Sequence, residues 1–223
     1  MKKKPAVEAD KKVVLVFCAH SDDQVFGPGG AMAKYAANGY DVVNVVFSYG
    51  ELSHPWMKRR VTAEIRKEEA KEADKIIGGK EVLFLGINEA SFAKEAQADW
   101  VKDKLAHMIR HYKPLKIFTH SIDDMHPAHK AVHKTLISVL EKINYECDTY
   151  AFDVWNPLNL RGRSEPKMYV DITGTFRIKL KALRCFRSQW MTMAFLLWSV
   201  YFRAIINGLD ARCKYAERFY KIR

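Results

Sequence analysis

The chain has 223 residues, 48% hydrophobic and 28% charged, a length and composition that build the core of one α/β domain rather than two. Its formal charge is +11, but the lysines and arginines are dispersed and no zinc finger or RNA-binding box accompanies them, so nucleic acid is excluded as the expected partner. Four cysteines, Cys18, Cys147, Cys185 and Cys213, stand far apart without a CxxC pair, which excludes a disulfide scaffold and a thiolate zinc knuckle and fits a reducing cytoplasm.

The chain starts MKKK, but PAVEADKK follows and the apolar run Val13 to Cys18 is too short for a secretory leader, so secretion is not expected. VVLVFC (13–18) reads as a buried strand, GGAMAKYAANG as a helix closed by Gly39, and DVVNVVFS as a second strand, together a βαβ unit. Thr62 to Ile77 carries apolar residues at helical spacing and is stopped by Gly78-Gly79 before the strand EVLFLG. Trp100 to Tyr112 is a further helix, LKIFTH a strand, and His129 to Ile143 the helix after it. Alternating strands and helices predict an α/β fold, a mostly parallel sheet flanked by helices on both faces, with residues 1–223 as a single domain.

Ligands of such sheets bind beyond the carboxyl ends of the strands. Two polar clusters fall there: HSDD (20–23) after the first strand and SIDDMHPAH (121–129) after LKIFTH. Imidazole nitrogens and carboxylate oxygens ligate zinc, and a catalytic site uses three protein ligands with a fourth position left for water. His20, Asp23 and a histidine of the second cluster supply three, since positions three apart share a face, and so do His126 and His129. Asp22 is then the unligated carboxylate that a general base requires. Two other readings stay open at this level: His20 and the aspartates as cap and turn residues, and a self-contained site of His126, His129 and His133. GPGG (27–30) lacks the spacing of a dinucleotide loop and instead predicts a tight turn from strand into helix.

AHSDDQVFGPGG resembles the AHPDDE-type first motif of the PIG-L/LmbE family of zinc-dependent N-acetylglucosaminyl deacetylases. MHPAH resembles that family's HPDH motif, and Arg66-x-x-Glu69, FLG, YVDIT, Ser188-Gln189 and YAERF are similar to its later landmarks, in order from about Val13 to Phe219. The resemblance implies a Rossmann-like fold and a hydrolase that removes the acetyl group from a GlcNAc-containing molecule or glycolipid, such as a GlcNAc-inositol phospholipid. It implies that His20, Asp23 and His129 hold zinc, other divalent metals also suiting such ligands, that Asp22 is the general base, and that protonated His126 assists the tetrahedral intermediate. It also implies that Arg66 contacts substrate and that Glu89 stands where the family has a sugar-contacting aspartate. Ser21 and Gln24 replace the proline and glutamate of the first motif, Ala128 the aspartate of the second, and Phe186 a histidine. If those changes mark lost catalysis, the chain is a noncatalytic metal-binding protein on the same scaffold.

WMTMAFLLWSVYFRAII (190–206) is nearly continuously apolar, and a basic carboxyl-terminal segment follows it. One reading places this helix in the core or in the interface of a homo-oligomer. The other makes it a peripheral contact at the cytoplasmic face of a membrane.

Overall fold

The computed structural model describes residues 12–156 and 164–223; the basic start of the chain lies outside them. The elements run β1 (Val13–Cys18), α1 (Asp23–Phe26), α2 (Gly29–Ala37), β2 (Asp41–Val46), α3 (Arg59–Ile77), β3 (Glu81–Phe84), α4 (Phe92–Ala96), α5 (Asp99–Tyr112), β4 (Lys116–His120) and α6 (Pro127–Lys142). They continue with β5 (Asp148–Phe152), β6 (Lys167–Asp171), α7 (Phe176–Leu183), α8 (Trp190–Asp210) and β7 (Ala216–Lys221).

The seven strands among the described residues form one sheet in the order β3-β2-β1-β4-β5-β7-β6. The first five are parallel, while β7 runs antiparallel to both neighbours. β1 is apolar at every position because both of its faces are covered. Val14, Val16 and Cys18 pack on the side of α2, α3 and α7, whereas Val13, Leu15 and Phe17 pack against α5 and α6. The sheet is therefore α/β and mostly parallel with helices on both faces.

The chain builds outward from β1 through β2 to β3, then returns to lay β4 on the other side of β1. Loops after β1 and β4 consequently leave in opposite directions and open a crevice between them. That crevice holds both polar clusters.

Several boundaries differ from expectation. α3 starts at Arg59, and α6 starts at Pro127 with His126 as its N-cap, because proline's fixed φ suits the first helical position. The antiparallel pair β6 and β7 was legible only as motif fragments. Gly27-Pro28 separates α1 from α2, which Gly29 opens, without any positive φ; a Cβ at Gly27 would run into the Phe152 ring, so close packing, and not a left-handed turn, demands glycine there.

Candidate active site

His20 leaves the end of β1 and Asp23 opens α1, and the His20 N–H donates to Asp23 Oδ2 at 2.8 Å. This local bond turns the chain so that both side chains converge. His129, one turn inside α6 and fully buried, brings Nε2 to 3.3 Å from Asp23 Oδ1. One ligand atom each from His20, Asp23 and His129 lies within 4.8 Å of the others. His129 Nε2, the nitrogen that faces Asp23, has no partner in hydrogen-bonding geometry. Two imidazoles and a carboxylate, one nitrogen of them unsatisfied, fit a divalent cation of the zinc type.

The electrostatics agree. Burial opposes charge on His20, but the Asp23 and Glu89 carboxylates outweigh it and raise its pKa to about 9. Burial likewise opposes charge on His129, yet Asp23 and Asp124 raise it to about 10. Three carboxylates thus favour positive charge at this point of the fold.

The supporting shell was only partly foreseen. Glu89 Oε1 is 2.9 Å from His20 Nε2, so this carboxylate orients a candidate ligand while lining the cleft where the resemblance implies a sugar contact. Burial works against the Glu89 charge, but His20 holds its pKa down at about 2. Asp124, fully buried, places Oδ1 3.0 Å from His129 Nδ1 and accepts the amides of His126, Val154 and Trp155. Despite its burial, His129 and these partners keep its carboxyl well below the usual range. It fills the role left open by Ala128: the carboxylate that sets His129 comes from five residues before it, ahead of the HPAH motif and not from inside it. His120 was also missed, although it ends β4: its Nε2 accepts the Ala19 N–H at 3.0 Å and lies 3.2 Å from Asp23 Oδ2. Its ring stacks on His129 with centroids 3.7 Å apart. His133 stays outside the trio, with Nδ1 on the His120 carbonyl oxygen at 2.9 Å.

His126 caps the start of α6. Its Nδ1 accepts the Ala128 N–H at 3.2 Å, while burial, His129 and His20 lower its pKa to about 4. The neutral ring therefore carries its proton on Nε2 and is a hydrogen-bond donor at the cleft.

Asp22 is 6% exposed and is held by Arg66, whose Nη2 donates to Oδ1 at 3.1 Å. Arg66 Nη1 also donates to Gln189 Oε1 at 3.2 Å. One turn on, Glu69 accepts both the N–H and the hydroxyl of Ser188. Arg66-x-x-Glu69 and Ser188-Gln189 are thus two halves of one clamp, which ties α3 to the start of α8. Gly50 (φ 65°) passes so close to Arg66 that a Cβ there would lie 2.5 Å from Nη1. Gln24 turns away from the trio, its Nε2 donating to the Ala70 carbonyl at 3.4 Å. Phe186 is 1% exposed and packed in the core.

A cleft of about 260 Å³ opens over these groups, lined by His20, Asp22, Asp23, Arg66, Glu89, His126, Trp155 and Gln189 among others. A second trio, His120, Asp124 and His129, is buried throughout. Only the first opens to a ligand, as a catalytic metal site must.

The chain is 31% identical over 91% of its length to 4-oxalmesaconate hydratase of Pseudomonas putida, covering 82% of that protein. It is 27% identical over 81% of its length to a probable N-acetyl-α-D-glucosaminyl L-malate deacetylase of Bacillus cereus, covering 84% of it. Among solved structures, the inhibitor-bound N,N'-diacetylchitobiose deacetylase of Pyrococcus horikoshii superposes with a TM-score of 0.80 at 23% identity, over 94% of this chain and 83% of that one. Residues 15–140 match the family described as PIG-L, GlcNAc-PI de-N-acetylase. The chain belongs to the PIG-L family of deacetylase enzymes.

Proposed function

We propose that the protein is a zinc-dependent N-deacetylase that hydrolyses the acetamide of a GlcNAc conjugate, with a GlcNAc-inositol phospholipid as the finer assignment. The observation that carries this reading is the convergence of His20, Asp23 and His129 at the floor of an open cleft with Asp22 beside them. The three residues would hold the cation. Bound there, zinc supplies Lewis acidity and lowers the pKa of water to about 7.

Asp22 takes a proton from the attacking water, and the water oxygen adds to the acetamide carbon. Arg66 holds Asp22 on the cleft side. His126 donates Nε2–H toward the carbonyl oxygen as negative charge develops there. The carbon–nitrogen bond then breaks, Asp22 passes its proton to the departing nitrogen, and acetate and a free amine leave. Glu89 and Asp124 fix the rings of His20 and His129 from behind.

The Pseudomonas relative, a 4-oxalmesaconate hydratase, supports a second reading, hydration of an unsaturated tricarboxylate at the same site. One assay separates the readings: free-amine release from GlcNAc, diacetylchitobiose and a GlcNAc-inositol phospholipid, alongside ultraviolet absorbance of 4-oxalmesaconate, each with zinc-reconstituted and chelated protein. Chelator-sensitive amine release is the expected result. Loss of absorbance without amine release replaces deacetylation with hydration. Neither signal, with zinc shown to be bound, returns the protein to the noncatalytic reading.

A further inference from the structure

α8 is an amphipathic helix turned inside out. The residues it buries against the fold are Leu196, Ser199, Val200, Ala204, Asn207 and Gly208. Those it leaves outside include Trp190 (63% exposed), Phe195 (69%), Trp198 (51%) and Leu209 (70%). A core helix shows the opposite arrangement, so the reading of this segment as core packing does not hold. The stretch Arg187–Asp210 is long and apolar enough to cross a membrane, yet α8 belongs to the fold. Its inner face is covered, and Arg203 Nη1 donates to the Asp153 carbonyl oxygen at 2.6 Å.

Charge identifies what covers the outer face. From Arg177 to Lys214 the chain carries eight basic residues and one acidic residue, Asp210. Lys179 and Arg203 are used inside the fold; the other six cations are exposed. Arg184 and Arg187 stand at the rim of an apolar groove of about 260 Å³ between α7 and α8, beside Trp190, Met193, Leu197 and Tyr201. A second copy docked through the same face about a two-fold axis would set these cations against each other; Arg187 has Glu72 at 3.9 Å to offset it, and Asp210 is the one carboxylate within the segment itself. Anionic phosphates above apolar chains match both components, aromatic rings at the interface and arginines at headgroup level.

We propose that the outward face of α8, with the arginines before it, is a docking surface for an anionic lipid bilayer, the helix lying in the headgroup region parallel to the membrane. Phe195 continues this face into an apolar groove of about 480 Å³ with Met125, Pro127 and Trp155. His126 and Trp155 line both that groove and the candidate active-site cleft. The docked orientation therefore sets the mouth of the cleft at the edge of the bilayer. The surface is independent of which reaction the cleft performs.

The test is flotation of the full chain with phosphatidylcholine vesicles, with and without about 25 mol% phosphatidylglycerol. Binding to the anionic vesicles at least about tenfold stronger than to neutral ones is expected, weakening with salt, with a blue shift of tryptophan emission. Trp198→Asp with Phe202→Asp should abolish binding while circular dichroism and turnover of a soluble substrate persist. Arg184→Glu with Arg187→Glu should erase the preference for anionic vesicles. Absence of binding, or equal binding to both compositions, overturns the proposal. So does an oligomer, seen by light scattering, that the double aspartate variant dissolves in a protein that ignores vesicles.

Discussion

Asp22 and Asp124 sit in the same crevice and have opposite employments. Asp22 faces the cleft with Arg66 behind it, so Asp22→Asn should keep the metal and lose a factor of about 10² to 10⁴ in turnover, the usual share of a general base. Single-turnover rates with metal content measured on the same sample decide this, and an undiminished rate removes Asp22 from the base role. Asp124 faces His129 and the amides of two loops. Asp124→Asn should weaken metal binding by about 10- to 100-fold, the usual effect of removing such an orienting carboxylate. Competition against a chromogenic chelator measures it. Both aspartates stand in DD pairs in the sequence. The HxxD spacing singled out the first pair, but nothing local showed which member of the second pair turns inward.

The elements around the site are held by polar contacts that cross most of the chain. Lys179 of α7 donates to the carbonyls of Phe26 and Gly27 at 2.9 Å and to Glu217 of β7 at 2.6 Å. Glu217 in turn accepts the Gly30 and Ala31 amides at the start of α2. Burial lowers the Lys179 pKa, with Glu217 working in the opposite direction, as expected for a charge kept only by its partners. Lys179→Met leaves Glu217 buried and two carbonyls unpaired. It should cost about 3–5 kcal/mol of stability in denaturant titrations; a loss below about 1 kcal/mol would show that water or rearrangement satisfies the network. The helices themselves were readable from periodicity and glycine stops, but such contacts were not: Lys179 looks like any exposed lysine of a short amphipathic helix until β7 is folded beside it.

For the molecule as a whole, the candidate metal site joins the loop after β1 to α6, two segments about a hundred residues apart, so a cation that binds only the folded chain must stabilise it. At a free zinc concentration about a hundredfold above Kd the gain is about 2.7 kcal/mol. In a chain of this size that corresponds to a thermal midpoint roughly 5–10 °C higher with zinc than with chelator. Calorimetry with a magnesium control checks it, and an unchanged midpoint would contradict metal binding by the trio. The alternation of strands and helices up to α6, the mostly parallel sheet and the position of HSDD and MHPAH at strand ends followed from the sequence alone. Hydrophobic periodicity and motif spacing are local quantities, and a parallel sheet leaves few places for polar clusters to go. Tertiary structure alone decided that Glu89 backs His20, that Arg66 and Glu69 clamp Ser188-Gln189, and that α8 turns its tryptophans outward. Each depends on which distant surface meets which. Composition records that Trp190 to Ile206 is apolar, but only the packing of Ser199, Ala204, Asn207 and Gly208 against the fold determines that its large side chains face away from the core.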